Sequence, residues 1–229
     1  MKKTIAIVVC AAAMLLAGKA NAQLSINAGY APVTFTAATT VGNSTTTTSS
    51  ELNGFFVGAT YNYGIIKDLG VAFGLEARLN TKSSTGSSNF VVISGNSKSR
   101  TTQVLFDVPV LLNYSFPLNK DAKLSALAGL AFSYAVYGNT HVTTTTSTII
   151  SGPATSESDY PMYGDNSNNK RFDVTLPIGL QFQYKDYRLF GGYRFGLADL
   201  NTNNNIKTTS SGIFIGLGYG LKDQPKKKK

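Results

Sequence analysis

A two-residue alternation of apolar side chains, repeated in segments of about ten residues, constrains this chain more than any other feature. At residues 70–81, Val71, Phe73, Leu75, Ala77 and Leu79 share one face of an extended strand, and Ala72, Gly74, Glu76, Arg78 and Asn80 share the other. At 103–116, Val104, Phe106, Val108, Val110, Leu112 and Tyr114 oppose Gln103, Asp107, Pro109, Asn113 and Ser115. At 171–184, Phe172, Val174, Leu176, Ile178, Leu180 and Phe182 oppose Arg171, Asp173, Thr175, Gly179, Gln181 and Gln183. The segment 187–200 sets Tyr187, Leu189, Tyr193, Phe195 and Leu197 against Arg188, Gly192, Arg194 and Gly196. The segment 211–221 sets Ile213, Ile215, Leu217, Tyr219 and Leu221 against Gly212, Gly216, Gly218 and Gly220. With 24–31, 54–63 and 124–137, these make eight predicted strands.

The composition of the polar face decides which side looks outward. A soluble sandwich would wet that face and has little use for glycine there. A narrow closed barrel needs small side chains wherever a large one crosses its interior. Here Gly and Ala recur on the polar face beside charges of both signs, so that face is read as the lumen and the apolar face as lipid-facing. Connector lengths agree. The segments 64–69, 117–123 and 185–186 are short, whereas 32–53, 82–102, 138–170 and 201–210 are long. Strict alternation of long and short connectors is the pattern of short periplasmic turns and longer extracellular loops. The expected fold is therefore all-β, an eight-stranded antiparallel up-and-down transmembrane β-barrel over 23–221.

The N-terminus supplies the compartment. Lys2 and Lys3 precede an apolar run from Thr4 to Gly18, and Ala20-Asn21-Ala22 offers the small residues that a signal peptidase reads. Residues 1–22 are expected to be a signal peptide cleaved after Ala22, since the run falls short of the roughly 20 apolar residues of a spanning helix. Cys10, the only cysteine, leaves with it. The rest of the chain then has no disulfide or thiolate site, and with His141 as its only histidine no multi-histidine metal site. No cofactor is expected. The formal charge of +9 falls to +6 with Lys2, Lys3 and Lys19, and much of the remainder is the tail 222–229 with Lys226, Lys227, Lys228 and Lys229. So localised a charge, without a basic stripe interleaved with aromatics, gives no reason to expect nucleic acid as partner. Outer-membrane lipid and, through the long connectors, an extracellular protein or surface ligand are the expected partners of a monomer.

Tyr61, Tyr63, Tyr114, Phe116, Tyr184, Tyr187 and Tyr219 gather where strands meet the short turns, the place of a periplasmic aromatic girdle. Glu76, Arg78, Asp107, Asp173, Arg188 and Arg194 all point to the predicted lumen. Charges in so dry a space must pair, which predicts a structural salt-bridge plug rather than an ion path. Pro109 and Pro177 fall inside strands, where each missing N–H costs a ladder bond; bulges could absorb them, and the two prolines are the strongest local evidence against the strand assignment.

The sequence Asp107-Val108-Pro109-Val110-Leu111-Leu112-Asn113-Tyr114 resembles a strand of the PorT-like outer-membrane β-barrel proteins of Bacteroidetes. Arg171-Phe172-Asp173 and Tyr193-Arg194-Phe195-Gly196-Leu197 resemble that family's sixth and seventh strands. The segment Gly212-Ile213-Phe214-Ile215-Gly216-Leu217-Gly218-Tyr219 resembles its closing strand. The resemblance implies an eight-stranded barrel of the outer membrane, without an assigned activity for most members and with a part in protein secretion for some. The chain departs from the usual aromatic C-terminus of such barrels, because it runs on through Lys222-Asp223-Gln224-Pro225 into four lysines.

For function, the leading expectation is a non-enzymatic barrel with a structural, adhesive or surface-binding role carried by Ser/Thr-rich loops. The rival is a lipid-modifying enzyme built on His141. That histidine is expected in a loop without a carboxylate partner in local sequence, which weakens the rival because a base needs an orienting group. Thr45 to Ser50 and Thr143 to Ile150 have high β-propensity, and Phe90-Val91-Val92-Ile93 is apolar outside the membrane band. Strands extending above the membrane with an exposed edge, or polar loops, are both compatible with them.

Overall fold

A computed structural model describes residues 22–42, 44–90, 93–148, 152–164, 167–203 and 205–221. The expected signal peptide and the tail 222–229 lie outside the described residues, apart from Ala22 at the start of the first strand.

The described chain is all strand and turn. The strands are β1 (Ala22–Tyr30), β2 (Val33–Val41), β3 (Ser44–Gly64), β4 (Leu69–Phe90), β5 (Ile93–Pro117), β6 (Ala122–Thr148), β7 (Ala154–Pro161), β8 (Phe172–Tyr184), β9 (Tyr187–Gly196) and β10 (Ile206–Leu221). Every pairing is antiparallel. β1 and β2 both lie between β10 and β3, so they are one wall strand broken at Ala31 and Pro32. β7 pairs with β6 beyond the stretch where β8 does, and so continues the position of β8. The ten strands therefore occupy eight wall positions, and β10 closes the ring by pairing with both β9 and β1.

Burial follows the predicted phase. Along β10 exposed Ile213, Ile215, Leu217 and Tyr219 alternate with the lumen positions, and Leu217 is 66% exposed although apolar. Buried polar residues line the inside, with Asp107 at 0% and Gln103 and Asn80 at 1% exposure. Greasy outside and polar inside is the inverse of a soluble fold, and it satisfies the requirement that backbone groups in hydrocarbon pair within the wall.

Three expectations are corrected. The segments 32–53, 82–102 and 138–170 are not loops for most of their length, because β2–β3, β4–β5 and β6–β7 run on as hairpins of Ser, Thr and other β-compatible residues. Of the two alternatives open for Thr45 to Ser50 and Thr143 to Ile150, the extended strand holds, with 91–92 and 149–150 outside the described residues. The segment 201–210 likewise yields to strand from Ile206 onward. No bulge absorbs either interior proline. Pairing of β4 with β5 steps from Phe73↔Val110 to Glu76↔Asp107 in unchanged register, and that of β6 with β8 steps from Ala128↔Ile178 to Ala131↔Thr175. Each ring turns into the lumen, with Gly74 and Gly129 at the opposed positions, and the ladder omits the bonds that proline cannot donate. The one register shift along β5 and β6 falls instead at Val104/Leu105.

The lumen is also less uniformly small than the glycine pattern implies. Phe56 and Phe214 are buried in it with Ala31, and Phe190 packs against them. Glycines make the room. A Cβ on Gly29 would sit 2.6 Å from the Phe56 ring, and one on Gly216 would sit 2.5 Å from the Phe190 ring.

Candidate functional site

Midway along the lumen the wall strands converge four charged side chains. Glu76 and Arg78 come from β4, Asp107 from β5 and Arg194 from β9, each placed inward by strand alternation. Arg78 Nη2 lies 3.0 Å from Asp107 Oδ2 and donates to Oδ1 at 3.1 Å. Arg194 donates through Nη1 to Asp107 Oδ2 at 3.0 Å and through Nη2 to Glu76 Oε2 at 3.3 Å. Ser133 Oγ accepts a longer bond from Arg78 at 3.4 Å, and the Arg194 guanidinium stacks 5.4 Å over the Phe214 ring. Two cations thus meet two anions in a space closed to solvent, so the cluster carries no net charge. Its members are held by two strands on one side of the ring and one on the other.

Of the six predicted lumen charges, all are buried, but the cluster brings together only Glu76, Arg78, Asp107 and Arg194. Asp173 stands apart and accepts a bond from the Ser210 hydroxyl. Arg188 lies at the short-turn end, where its Nη2 donates to Gln23 Oε1 at 2.5 Å.

Above the charge cluster sits a second layer that sequence reasoning missed in part. Asn80 Nδ2 donates to Gln103 Oε1 at 2.8 Å, and Gln103 Nε2 bonds the Tyr163 hydroxyl. Asn80 and Gln103 were legible as lumen-facing, but Tyr163 comes from the connector after β7, and nothing in its local sequence marks it. Arg171 stacks 5.1 Å over the Tyr163 ring, and burial pushes the Tyr163 phenol above its ordinary pKa. Gly138 leaves space for this ring, since a Cβ there would lie 2.6 Å from it. Tyr163 thereby caps the lumen below a mouth cavity of about 260 Å³ that Lys82, Lys170, Phe35 and Leu52 help to line.

The aromatic residues at the short-turn end fall on the outer face. Tyr63, Tyr114, Tyr184, Tyr187 and Tyr219 are exposed, and Tyr61 is half-buried. Neighbouring rings touch in tilted or edge-on pairs, as Tyr61 with Phe73, Tyr114 with Phe116 and Tyr187 with Tyr219.

His141 requires a correction. It lies in β6, not in a loop, and it has a carboxylate partner, because the β6–β7 register sets it opposite Asp159. Its Nδ1 lies 3.0 Å from Asp159 Oδ1, and Thr143 Oγ1 lies 3.4 Å from its Nε2. Asp159 also accepts from Asn139 Nδ2 at 2.8 Å, and these two bonds hold its carboxyl below the ordinary value. The row lies on an open face, with the His141 and Asp159 side chains 43% and 65% exposed. Sequence missed the pairing because the hairpin that makes it joins residues eighteen positions apart. Among the described residues no group of three or more His, Cys, Asp or Glu is placed to hold a metal ion.

A closed ring of eight wall positions, an apolar outer band with rings at one rim and a sealed polar centre together define a small outer-membrane-type β-barrel. Residues 19–202 match the outer membrane protein beta-barrel domain, and the chain belongs to that family. Similar solved structures include the attachment invasion locus protein Ail of Yersinia pestis, at 17% identity and TM-score 0.32 over 88% of this chain and 99% of that one. Neisserial surface protein A follows at 15% identity and TM-score 0.38, again over 88% and 99%. The outer membrane enzyme PagL is at 10% identity and TM-score 0.37, over 82% of this chain and 99% of that one. No curated protein matches the chain.

Proposed function

We propose that this protein is a non-catalytic surface-binding barrel, a monomer in outer-membrane lipid whose protruding β-sheet meets an extracellular partner. The observation that carries the reading is strand length. β4, β5 and β6 have 22, 25 and 27 residues, whereas crossing the membrane takes about 9–11. At a rise of ~3.3 Å per residue, the upper halves form a hairpin sheet standing well clear of the lipid. Nothing in barrel stability calls for so much ordered, solvent-facing backbone, and the sealed lumen below it is a poor conduit.

The two edges of that sheet differ. β7 carries Glu157, Asp159 and Pro161, the kind of residues that discourage strand addition. β4 loses its β3 neighbour beyond the Asn53↔Thr81 pair, and from Ser83 to Asn89 it bears no charge. An extended segment of a partner protein can add there through main-chain hydrogen bonds. The resemblance of the 107–114, 171–173, 193–197 and 212–219 motifs to the PorT-like proteins supports placing the chain in that group of Bacteroidetes barrels, with a leader removed after Ala22.

A shortened barrel tests the proposal. Asn-Gly turns replace Ser84 through Ser99 and Thr143 through Glu157, cuts made where Ser83 faces Arg100 and Val142 faces Ser158. Cells displaying the shortened barrel at wild-type levels should lose adherence to surfaces that retain wild-type cells. Retained adherence would sink the reading.

The Asp159–His141–Thr143 row favours a second reading, a hydrolase acting on outer-leaflet lipid with Thr143 as nucleophile. Against it, Thr143 lies in ladders on both sides, opposite Lys98 and Glu157, so its backbone offers no free donors for an oxyanion. Replacing His141 with Ala and weighing lipid A by mass spectrometry separates the two, since binding predicts an unchanged spectrum.

A further inference from the structure

The short-turn end of the lumen opens into a cavity of about 240 Å³ whose lining is polar and cationic. Its charged members are Arg188, Lys123, Lys67 and a single carboxylate, Asp68. The register places Lys123 of β6 beside Gln183 of β8, and Gln183 beside Arg188 of β9. Two cations therefore flank one amide along a single lumen row, about 10 Å apart at the backbone by the spacing of strands.

Arg188 is the unusual member. It is only 4% exposed, yet among the described residues it forms no ion pair; its one side-chain hydrogen bond there goes to the neutral Gln23, and its Nε has no partner. Gln183 donates to the Lys185 carbonyl at 2.8 Å, which leaves its buried Oε1 unpartnered as well. A buried guanidinium without a counter-ion is costly, and a lysine two strands away raises the cost. The charge cluster further up the same lumen, where every guanidinium meets a carboxylate, shows that the wall can supply acids where they are needed.

We propose that this cavity is an oxyanion site, in which Arg188 and Lys123 bind a phosphate or carboxylate group entering from the periplasmic side. The planar guanidinium offers Nε and its terminal nitrogens to two oxygens of one group, and Lys123 adds a point charge from across the row. The amides of Asn62, Asn113 and Gln181 around the cavity suit a polar body attached to that group.

The test is calorimetric titration of the full refolded protein in detergent at low ionic strength, with inorganic phosphate and with acetate as probes. One saturating site is expected for at least one probe, and the stronger of the two names the group. Arg188→Gln should weaken it by about tenfold or more, the loss of a charge-assisted bond pair, and Lys123→Gln by a smaller factor. Lys82→Gln in the opposite mouth, and glutamine at all four positions 226–229, should leave it unchanged. Absence of saturable binding to both probes overturns the proposal. So does a dissociation constant for Arg188→Gln within twofold of the parent, or loss of binding on neutralising the tail. If Arg188→Gln does not refold, Lys123→Gln decides by the same twofold criterion.

Discussion

β4, β5 and β6 each live in two solvents. In their lower halves, exposed Leu75, Phe106 and Leu130 face outward while Glu76, Asp107 and Ala131 face in, so the two sides of each strand do opposite work. In their upper halves Ser and Thr occupy both sides: Ser83, Ser84 and Thr85 on β4 and Thr143, Thr144 and Thr145 on β6. β4, β5 and β6 each continue as one strand through both halves, yet only the lower half has a packed interior. Regular backbone pairing and a core are thus separable: the ladder sets shape, and stability resides where side chains are hidden from water or matched to lipid.

Substitutions can break or sharpen that contrast. The largest effect belongs to Asp107→Ala, which strips Arg78 and Arg194 of their shared carboxylate. It should cost about 3–5 kcal/mol, the scale for a buried pair broken from one side, read as a lower urea midpoint of the heat-modifiable band in vesicles. Leu75→Arg, on the lipid face, should cost about 2–4 kcal/mol in the same assay. Thr145→Arg on an upper half should stay within about 0.5 kcal/mol, and equal penalties at the two positions would show that the upper sheet is also embedded. Gly216→Ala should lose about 1–3 kcal/mol by overpacking against Phe190, and Phe190→Ala in the same chain should recover part of it.

The smallest effect concerns the hairpin of β6 and β7. Asp159 titrates below its ordinary value of 3.8 because Asn139 and then His141 bond its charged form. A depressed carboxylate stabilises the fold above its unfolded pKa, and that contribution disappears as pH falls through the lower, folded value. The protection of β7 amides, taken as exchange relative to the intrinsic rate at each pH, should therefore fall as pH drops below about 3.8, and Asp159→Asn should flatten the response. Unaltered protection in wild type would show that the pair does not hold the hairpin.

The wall was readable because a barrel writes itself in period two. Val71 to Asn80 and Ile213 to Gly220 state both the strand and its facing, and Gly216 of β10 marks where Phe56 and Phe190 cross the lumen. The lumen charges were readable for the same reason, though which of them meet was not. Arg194 reaches Glu76 across 118 positions of chain, and only the closed ring fixes that distance. The upper hairpins were harder. Alternation carries no signal when both faces meet water, so Thr143 to Thr148 looks alike as loop or strand, and His141 could not be joined to Asp159. Tyr163 was invisible because its place depends on how a connector folds back, not on any pattern within it.

The ring closes between β1 and β10, with Leu24 set against Leu221 and Tyr30 against Ile215. Its seam thus unites the first wall strand to be made with the last. Until β10 arrives, β1 and β9 must each present a bare margin of amide and carbonyl groups, the state most prone to stray pairing. Assembly cannot be completed piecemeal, and whatever escorts the polypeptide to the bilayer must shield both margins until that final zipper shuts.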